Sequence, residues 1–268
     1  MWTLLLIPAL LYLAVLAALW LFQGRILFPA RAVEGTHALP PGATRLSVDT
    51  PDGERLHGVH IDGGGGGAAA GRPLILGFGG NAWNGDDVAA TLADLFPGHD
   101  VVAFHFRGYR PSSGRPSAAA LLADGPLVHD EVVRRYRPSA IVAVGFSIGT
   151  GIAARLAAER PIAGAILVTP FDSLAGVAAQ HYPWLPVRLL FRHEMPAGED
   201  LARSRVPVAI LAAAGDDLIL PARTEALRRR ASNLAYDRTF AGAGHNDIYQ
   251  RADFRAALSE ALARIAAR

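Results

Sequence analysis

Short apolar runs alternate with helical patterns along most of this 268-residue chain, and this alternation restricts the possible folds more than any other feature. Continuous apolar or β-branched runs are typical of strands that are covered on both faces. We predict such strands at 74–76, 101–106, 140–144, 165–168, 208–212 and 235–240. Helical patterns lie between and after them, at 87–96, 127–136, 148–159, 222–231 and around 252–267. A repeated strand–helix–strand order predicts an α/β domain with a mostly parallel, doubly wound sheet.

Two further strand-like runs, 44–49 and 55–61, precede this alternation. The turn residues Pro-Asp-Gly at 51–53 lie between them and predict a hairpin. Five consecutive glycines at 63–67 follow, and we expect a surface loop there because such a run holds no regular structure. A phosphate-binding loop would need Lys-Ser or Lys-Thr and the start of a helix after the glycines, and neither follows.

The first residues differ from the rest, because 2–22 carries no charged side chain. A helix of that length is about 32 Å long, which matches the hydrocarbon core of a bilayer. Trp2 and Trp20 lie near its two ends, where interfacial tryptophans are common. The alternative is a cleavable signal peptide, which would show a basic start, a shorter apolar run and a cleavage site with small residues. We predict a transmembrane anchor over 1–24 and a single domain over 25–268.

Charge and composition restrict the partners. No Lys or Arg precedes the apolar segment, whereas Arg25 and Arg31 follow it, so the positive-inside rule places the domain of a single-pass protein in the cytoplasm. The formal net charge is only +2, and the one tight arginine run, 228–230, has the pattern of a solvated helix face, so we expect no nucleic-acid partner. The chain has no cysteine, and no ligand cluster predicts a metal or another cofactor. The sequence sets no oligomeric state.

The stretch AVGFSIGTG at 143–151 follows a predicted strand and opens a predicted helix. It contains the pattern Gly-x-Ser-x-Gly, with Ser147 between strand and helix. A nucleophile elbow has this arrangement, since the glycines let strand and helix approach closely and the helix N-terminus adds positive potential near the hydroxyl. The alternative is a glycine-rich turn that contains a serine by chance, since the chain has 28 glycines. The position after a strand favours a nucleophile.

A serine nucleophile needs a base with a pKa near 7, and His245 lies in the glycine-rich loop after the last strand. A carboxylate that orients the imidazole is expected after strand 208–212, where two aspartates are adjacent. The acid of such loops commonly comes four residues before a proline. Pro221 therefore favours Asp217 over Asp216, with Asp172 as a third candidate.

The loop GFGGNAWN follows the strand at 74–76. Backbone amides in such a loop bind the oxyanion of a tetrahedral intermediate together with the amide that follows the nucleophile. We therefore predict the amides of Asn81, or of a neighbour, and of Ile148 as donors, with an ordinary tight turn as the alternative. Catalytic triads occur in three unrelated orders along the sequence, and Ser147, Asp217, His245 follows one of them, with serine first, the acid second and histidine last.

From about residue 74 to its end, the chain resembles the α/β-hydrolase superfamily, and within it the membrane-anchored branch of serine aminopeptidase-like hydrolases and depalmitoylases. The stretches that carry the resemblance are GFGGNAWN, HFRGYRPSSGRPS, GFSIG, TPFDSL, AGDDLILP and GAGHNDI. Relatives commonly have His-Gly-Asn in the oxyanion loop, whereas this chain has Gly-Gly-Asn at 79–81. The resemblance also implies that 107–109 supports the rim of the active site, with Arg107 in an internal ion pair.

Segment 171–200 interrupts the alternation and predicts a small lid. Its apolar side chains would line an acyl-binding groove or touch the bilayer: Trp184, Leu185, Val187, Leu189, Leu190 and Phe191. Helices packed on the core are the alternative. We predict a serine hydrolase that cleaves an ester, thioester or amide of a lipid-like or acylated substrate through an acyl-enzyme. The competing interpretations are a membrane-tethered binding protein without catalysis and a serine peptidase.

Overall fold

The predicted strands form one eight-stranded sheet in the computed structural model, which describes residues 2–33, 35–36, 38–64 and 71–268. The strands are β1 (Thr44–Asp49), β2 (Arg55–Ile61), β3 (Leu74–Phe78), β4 (Val101–Phe104), β5 (Ile141–Phe146), β6 (Gly164–Val168), β7 (Val208–Ala213) and β8 (Leu234–Phe240). Their order across the sheet is β1-β2-β4-β3-β5-β6-β7-β8. The pairs β1–β2 and β2–β4 are antiparallel, and the other neighbours are parallel. The prediction of a mostly parallel, doubly wound sheet is confirmed.

The described residues form nine α-helices, most of which cover the two faces of this sheet. They are α1 (Trp2–Leu27), α2 (Gly85–Leu95), α3 (Ala118–Tyr136), α4 (Gly149–Glu159), α5 (Leu174–His181), α6 (Val187–Leu190), α7 (Ala197–Arg203), α8 (Pro221–Arg228) and α9 (Phe254–Ala266). Residues of α2 and α9 belong to the core on one face, and residues of α3, α4, α5, α7 and α8 to the core on the other. The central strands β3 to β7 are buried along their whole length, as their continuous apolar sequences predict.

Helix α3 begins nine residues before the predicted start at 127. Asp-Gly-Pro at 124–126 has the composition of a turn, yet these residues continue the helix. The Ser117 hydroxyl caps the helix by accepting a hydrogen bond from the Ala120 amide. Gly125 allows α3 to pack closely on α4, because a Cβ there would lie 2.7 Å from Cγ2 of Ile152. Tertiary packing therefore overrides the local turn pattern.

The N-terminal helix α1 extends three residues beyond the predicted anchor boundary at 24. Its segment Leu6–Leu27 has a mean hydropathy of 2.1 over a length that is sufficient to cross a membrane. The half-buried residues Leu16, Leu19, Gln23 and Leu27 recur at helical spacing and form one face. The side chain of Trp2 and residues 65–67 of the predicted glycine loop lie outside the described residues.

The predicted lid, 171–200, divides into two parts. Helix α7 packs against α4, where Asp200 Oδ2 lies 3.1 Å from Arg155 Nε and Leu201 is buried in the core. Residues of α5 and α6, in contrast, line a cavity together with residues of α1 between Val15 and Leu27. We call residues 174–191 the lid, and the rest of the predicted segment belongs to the helical layer.

Candidate functional site

Ser147 sits in a strained turn between β5 and α4, with a positive φ of 50°. Positive φ is uncommon for a residue with a side chain and marks a geometry that its surroundings impose. The two flanking glycines are required by close approaches. A Cβ on Gly149 would lie 2.2 Å from the Phe78 carbonyl oxygen, and one on Gly145 would lie 2.6 Å from the Gly149 carbonyl oxygen. Strand β3, strand β5 and helix α4 therefore meet at the serine with no space for a methyl group.

Three side chains from separate loops converge above the carboxyl ends of the strands. His245 Nε2 lies 3.0 Å from Ser147 Oγ, and His245 Nδ1 lies 2.8 Å from Asp216 Oδ2. A carboxylate only accepts hydrogen bonds, so Nδ1–H donates to Asp216 and leaves Nε2 free to accept from the serine hydroxyl. His245 and Asp216 are 5% and 4% exposed, so the hydrogen bond between them is shielded from water, whereas Ser147 is partly exposed.

The structure differs from the sequence prediction at the acid, because Asp216 and not Asp217 contacts the imidazole. Oδ1 of Asp216 also accepts hydrogen bonds from the amides of Leu218 and Ile219, at 3.0 and 2.7 Å. This turn directs the Asp216 carboxylate inward, whereas Asp217 is exposed. The spacing to the following proline does not reveal which of two adjacent side chains points inward.

Asp172, the third candidate, lies elsewhere. Its Oδ2 is 3.4 Å from Nη1 of Arg223, which is at the start of α8. This ion pair lies within the helical layer, and Asp172 does not contact His245 in the way that Asp216 does.

The loop between β3 and α2 lies directly against the serine. A Cβ built on Gly80 would be 4.0 Å from Ser147 Cβ. The next residue, Asn81, uses its side chain for structure: its amide donates to the Leu27 carbonyl of α1, and its oxygen accepts from the Tyr109 hydroxyl at 2.8 Å. Ile148 occupies the N-cap position of α4, directly after the serine. Of the two predicted oxyanion-hole residues, Ile148 thus directly follows Ser147, and Asn81 directly follows Gly80, which packs on Ser147.

Gly79 stands where the resemblance leads us to expect a histidine, and the packing around it leaves little space for a side chain. A Cβ at this position would lie 2.5 Å from Cγ2 of Val88 and 3.3 Å from Cβ of Trp83. The side chains of α2 and of the loop before it therefore fill the space that a larger residue would enter. The loop is held by this packing rather than by a side chain at 79.

An aromatic cluster lies behind the triad and was not foreseen from the sequence. The rings of Trp83 and Phe146 have centroids 5.2 Å apart, and Tyr249 lies 5.4 and 5.7 Å from them. Burial raises the pKa of the Tyr249 hydroxyl to about 12, so this residue stays neutral at physiological pH. Phe146, the residue before the serine, is fully buried in this cluster, whereas Trp83 and Tyr249 are partly exposed. Only the positions of Phe146 before the serine and of Tyr249 after the histidine could have indicated it.

The prediction that Arg107 forms an internal ion pair is confirmed. Its guanidinium donates to Asp124 from Nε at 3.0 Å and from Nη2 at 2.6 Å, and Nη1 pairs with Asp52. The hydrogen bonds to Asp124 and Asp52 and their charges raise the pKa of Arg107 despite its burial. Since Tyr109 binds Asn81, segment 107–109 supports the rim of the site, as the resemblance implies.

An apolar cavity of about 590 Å³ lies between α1 and the lid, and its lining includes Asn81 and Leu218 but none of the three triad residues. Its walls are mostly aliphatic and aromatic. Among the described residues, no group of three or more His, Asp or Glu side chains is arranged to hold a metal ion.

Comparison with known proteins agrees with this architecture. A family model described as the alpha/beta hydrolase fold matches residues 73–194. An uncharacterized protein of Mycobacterium tuberculosis is 35% identical over 251 residues, which cover 90% of this chain and 86% of that protein. The lysophosphatidylserine lipase ABHD12 of Danio rerio is 30% identical over 129 residues, which cover 45% of this chain and 33% of the lipase.

Among solved structures, an esterase of Pyrococcus furiosus superimposes with a TM-score of 0.69 at 17% identity. The match covers 88% of this chain and 97% of the esterase. At this level of identity the likeness concerns the fold.

Proposed function

The chain belongs to the α/β-hydrolase family and is a hydrolase, and we propose that it cleaves an ester or related acyl bond through a Ser147–His245–Asp216 triad. The observation that carries this proposal is the continuous set of hydrogen bonds from the serine hydroxyl through the imidazole to a buried carboxylate. A binding protein without catalysis has no need of this arrangement or of the strained serine.

In the proposed mechanism, His245 Nε2 takes the proton of Ser147 while Oγ attacks the acyl carbonyl carbon. The imidazolium that forms is stabilised by Asp216 through Nδ1–H. The negative charge moves to the carbonyl oxygen, which the backbone amides of Ile148 and Asn81 would bind. His245 then protonates the leaving group, an acyl-enzyme remains on Ser147, and water deacylates it by the reverse path.

We also propose that α1 is retained as a membrane anchor. A helix that is removed as a signal peptide has no reason to bind the folded domain, yet the Tyr12 hydroxyl donates to the Trp184 carbonyl and Gln23 Nε2 donates to the Leu190 carbonyl. Arg25 and Arg31 follow the apolar segment, which favours a cytoplasmic site for the hydrolase domain.

The decisive experiment replaces the nucleophile in the full chain, purified in detergent. Ser147→Ala should lower kcat/KM for p-nitrophenyl acetate by at least about 10³-fold and abolish labelling by a fluorophosphonate. Ser259→Ala is the matched control, because Ser259 is an exposed serine of α9. Labelling that persists in Ser147→Ala, or wild-type protein that neither labels nor hydrolyses the ester, would refute the proposal.

A further inference from the structure

We propose that α1 forms one wall of the substrate-binding cavity, so that the long acyl chain of a membrane lipid ester lies between α1 and the lid with its carbonyl at Ser147. This inference rests on the proposed hydrolase function. It gives the N-terminal helix a second role in addition to anchoring, that of selecting the substrate by chain length.

The cavity has the size and chemistry of a site for an apolar ligand. Its volume of about 590 Å³ lies within the roughly 300–1,000 Å³ that is usual for small-molecule sites. Two of its polar side chains, Gln23 and His181, already form hydrogen bonds. Gln23 donates to the Leu190 carbonyl and accepts from the Arg192 amide, and His181 Nε2 donates to the Leu218 carbonyl at 2.8 Å. A bound chain would therefore meet mainly aliphatic and aromatic surface.

The inner end of the cavity is next to the triad. Asn81 lines it and follows Gly80, where a Cβ would approach Ser147 Cβ to 4.0 Å. Leu218 lines it on the other side and donates its amide to Asp216. The triad residues are not among the lining residues, so Asn81 and Leu218 mark the end of the cavity that is nearest to them. In the proposal, an acyl group on Ser147 directs its chain past these two residues and between α1 and the lid.

One face of α1 supplies the outer wall. Val15, Leu19, Gln23 and Ile26 line the cavity at spacings of four, four and three residues, which places them on the same side of the helix. The wall is attached to the lid by the hydrogen bond from Gln23 to the Leu190 carbonyl, and just beyond the lid the Arg192 guanidinium lies 4.3 Å from the centroid of the Trp20 ring. The α1 wall is thus part of the folded domain.

The outer side of the same region is apolar and exposed. Leu189 and Trp184 of the lid are 85% and 54% exposed, and they lie beside a helix whose outward residues are also apolar. Contacts between α1 and the lid begin at Tyr12 and α1 ends at Leu27, a length of about 22 Å along the axis. If α1 crosses the bilayer, the lid lies at the depth of the lipid chains. A chain can then enter the cavity laterally without passing through water.

The test places a large side chain in the cavity from each wall. It then compares the hydrolysis of substrates with short and long acyl groups by the full-length protein in detergent. Leu19→Trp and Ala178→Trp place an indole in the cavity from α1 and from the lid. Leu21→Trp and Ala179→Trp are the matched controls, because these neighbours are exposed and do not line the cavity. The measured quantity is the ratio of kcat/KM for p-nitrophenyl dodecanoate to that for the acetate.

In the wild type, kcat/KM should rise with chain length by up to about fourfold per added methylene, which corresponds to full transfer of each methylene from water. The ratio should fall at least tenfold in both filled variants and stay within twofold of wild type in both controls. Hydrolysis of a long-chain monoacylglycerol in phosphatidylcholine vesicles should likewise be lower in the filled variants than in the wild type and the controls.

Fluorophosphonate labelling separates the possible failures. Filled variants that label normally and keep the wild-type ratio would overturn the role of α1 while leaving the serine hydrolase intact. Cleavage of an S-acyl peptide without cleavage of the monoacylglycerol would overturn the assignment of a lipid ester. Absence of labelling in the wild type would instead remove the proposed function. If both tryptophan variants fail to label, Leu19→Ala decides: the larger cavity should move the preferred chain length upward, and an unchanged preference overturns the proposal.

Discussion

Two neighbouring regions of the molecule, the carboxyl edge of the sheet and the junction between α1 and the lid, are held by different forces. At the edge, the imidazole of His245 has a polar partner on each nitrogen, and the serine backbone is fixed where Gly149 touches the Phe78 carbonyl. At the junction, apolar surfaces face each other across a cavity, with a few hydrogen bonds such as that from Tyr12 to the Trp184 carbonyl.

This difference suggests separate roles for the two regions, with catalysis at the sheet edge and the choice of substrate at the junction. Hydrogen bonds and backbone contacts are short-ranged and directional, so they fix the triad to within fractions of an ångström. Apolar contacts are non-directional, and a cavity with spare volume tolerates ligands of several lengths. We therefore expect substitutions at the edge to act on kcat for every substrate and substitutions at the junction to act on the choice among substrates.

The largest expected effect is the loss of kcat when the carboxylate of the triad at the sheet edge is replaced. Asp216→Asn should lower kcat by about 10⁴-fold, because the amide can donate to Nδ1 and so favours the wrong imidazole tautomer. Asp217→Asn should change kcat less than twofold, since Asp217 is exposed and adjacent to the same turn. Ester hydrolysis by the two purified variants checks both statements, and equal losses would contradict the assignment of Asp216.

We expect an intermediate effect, on stability, when one methyl group is added in each region by a glycine-to-alanine substitution. Gly149→Ala should destabilise the protein by about 3 kcal/mol or prevent folding, because backbone oxygens 2.2 and 2.6 Å away have no freedom to move aside. In Gly24→Ala of α1, the nearest atom is the His193 side chain at 3.2 Å, and alanine also favours the helix by about 1 kcal/mol.

Thermal unfolding in detergent measures the stability of Gly149→Ala and of Gly24→Ala relative to wild type. We expect Gly24→Ala to remain within about 1 kcal/mol of wild type, since the helix propensity offsets a small adjustment of the imidazole. Comparable losses in the two variants would mean that the junction is as tightly packed as the edge, and the contrast between the regions would fail.

The smallest expected effect concerns pH at the junction. Burial, with a contribution from the neighbouring Arg192 charge, lowers the pKa of His193, whose Nδ1 has no hydrogen-bond partner among the described residues. The imidazole lies against Phe28, the residue that follows α1, with ring centroids 5.3 Å apart. Below pH about 6.5, the unfolded chain takes up a proton at this histidine before the folded protein does, so its contribution to stability falls as the pH falls.

His193→Phe should therefore gain stability relative to wild type as the pH decreases from 7 to 5. The difference between the two proteins isolates this group, because other titrating side chains are common to both. Denaturation midpoints measured at several pH values supply the comparison. A difference that does not change with pH would show that His193 is protonated equally in the folded and unfolded states.

Much of the sheet could be predicted from the sequence, because β3 to β7 are continuous apolar runs between recognisable helices. The serine turn and the histidine loop were located in the same way, from their positions after strands. The choice between Asp216 and Asp217 could not be made, since it depends on hydrogen bonds to the amides of Leu218 and Ile219 that no residue pattern encodes.

The remaining features depend on contacts between distant segments. The beginning of α3 was missed because Gly125 and Pro126 have local turn propensity, and only the packing of Gly125 on Ile152 explains the helix. The apolar residues of the lid and of α1 were each recognised, but their common cavity joins positions more than 150 residues apart. Long-range complementarity of this kind leaves no periodic pattern in one sequence.

The shared wall has a consequence for evolution and for protein engineering. An anchor that only tethers a domain can be exchanged for any other hydrophobic segment, but an anchor that shapes the cavity is inherited together with the catalytic domain. If α1 forms the wall as we propose, exchanging N-terminal helices between homologues should transfer the chain-length preference. A version that lacks α1 should then keep the reactivity of the serine and lose the discrimination among chain lengths.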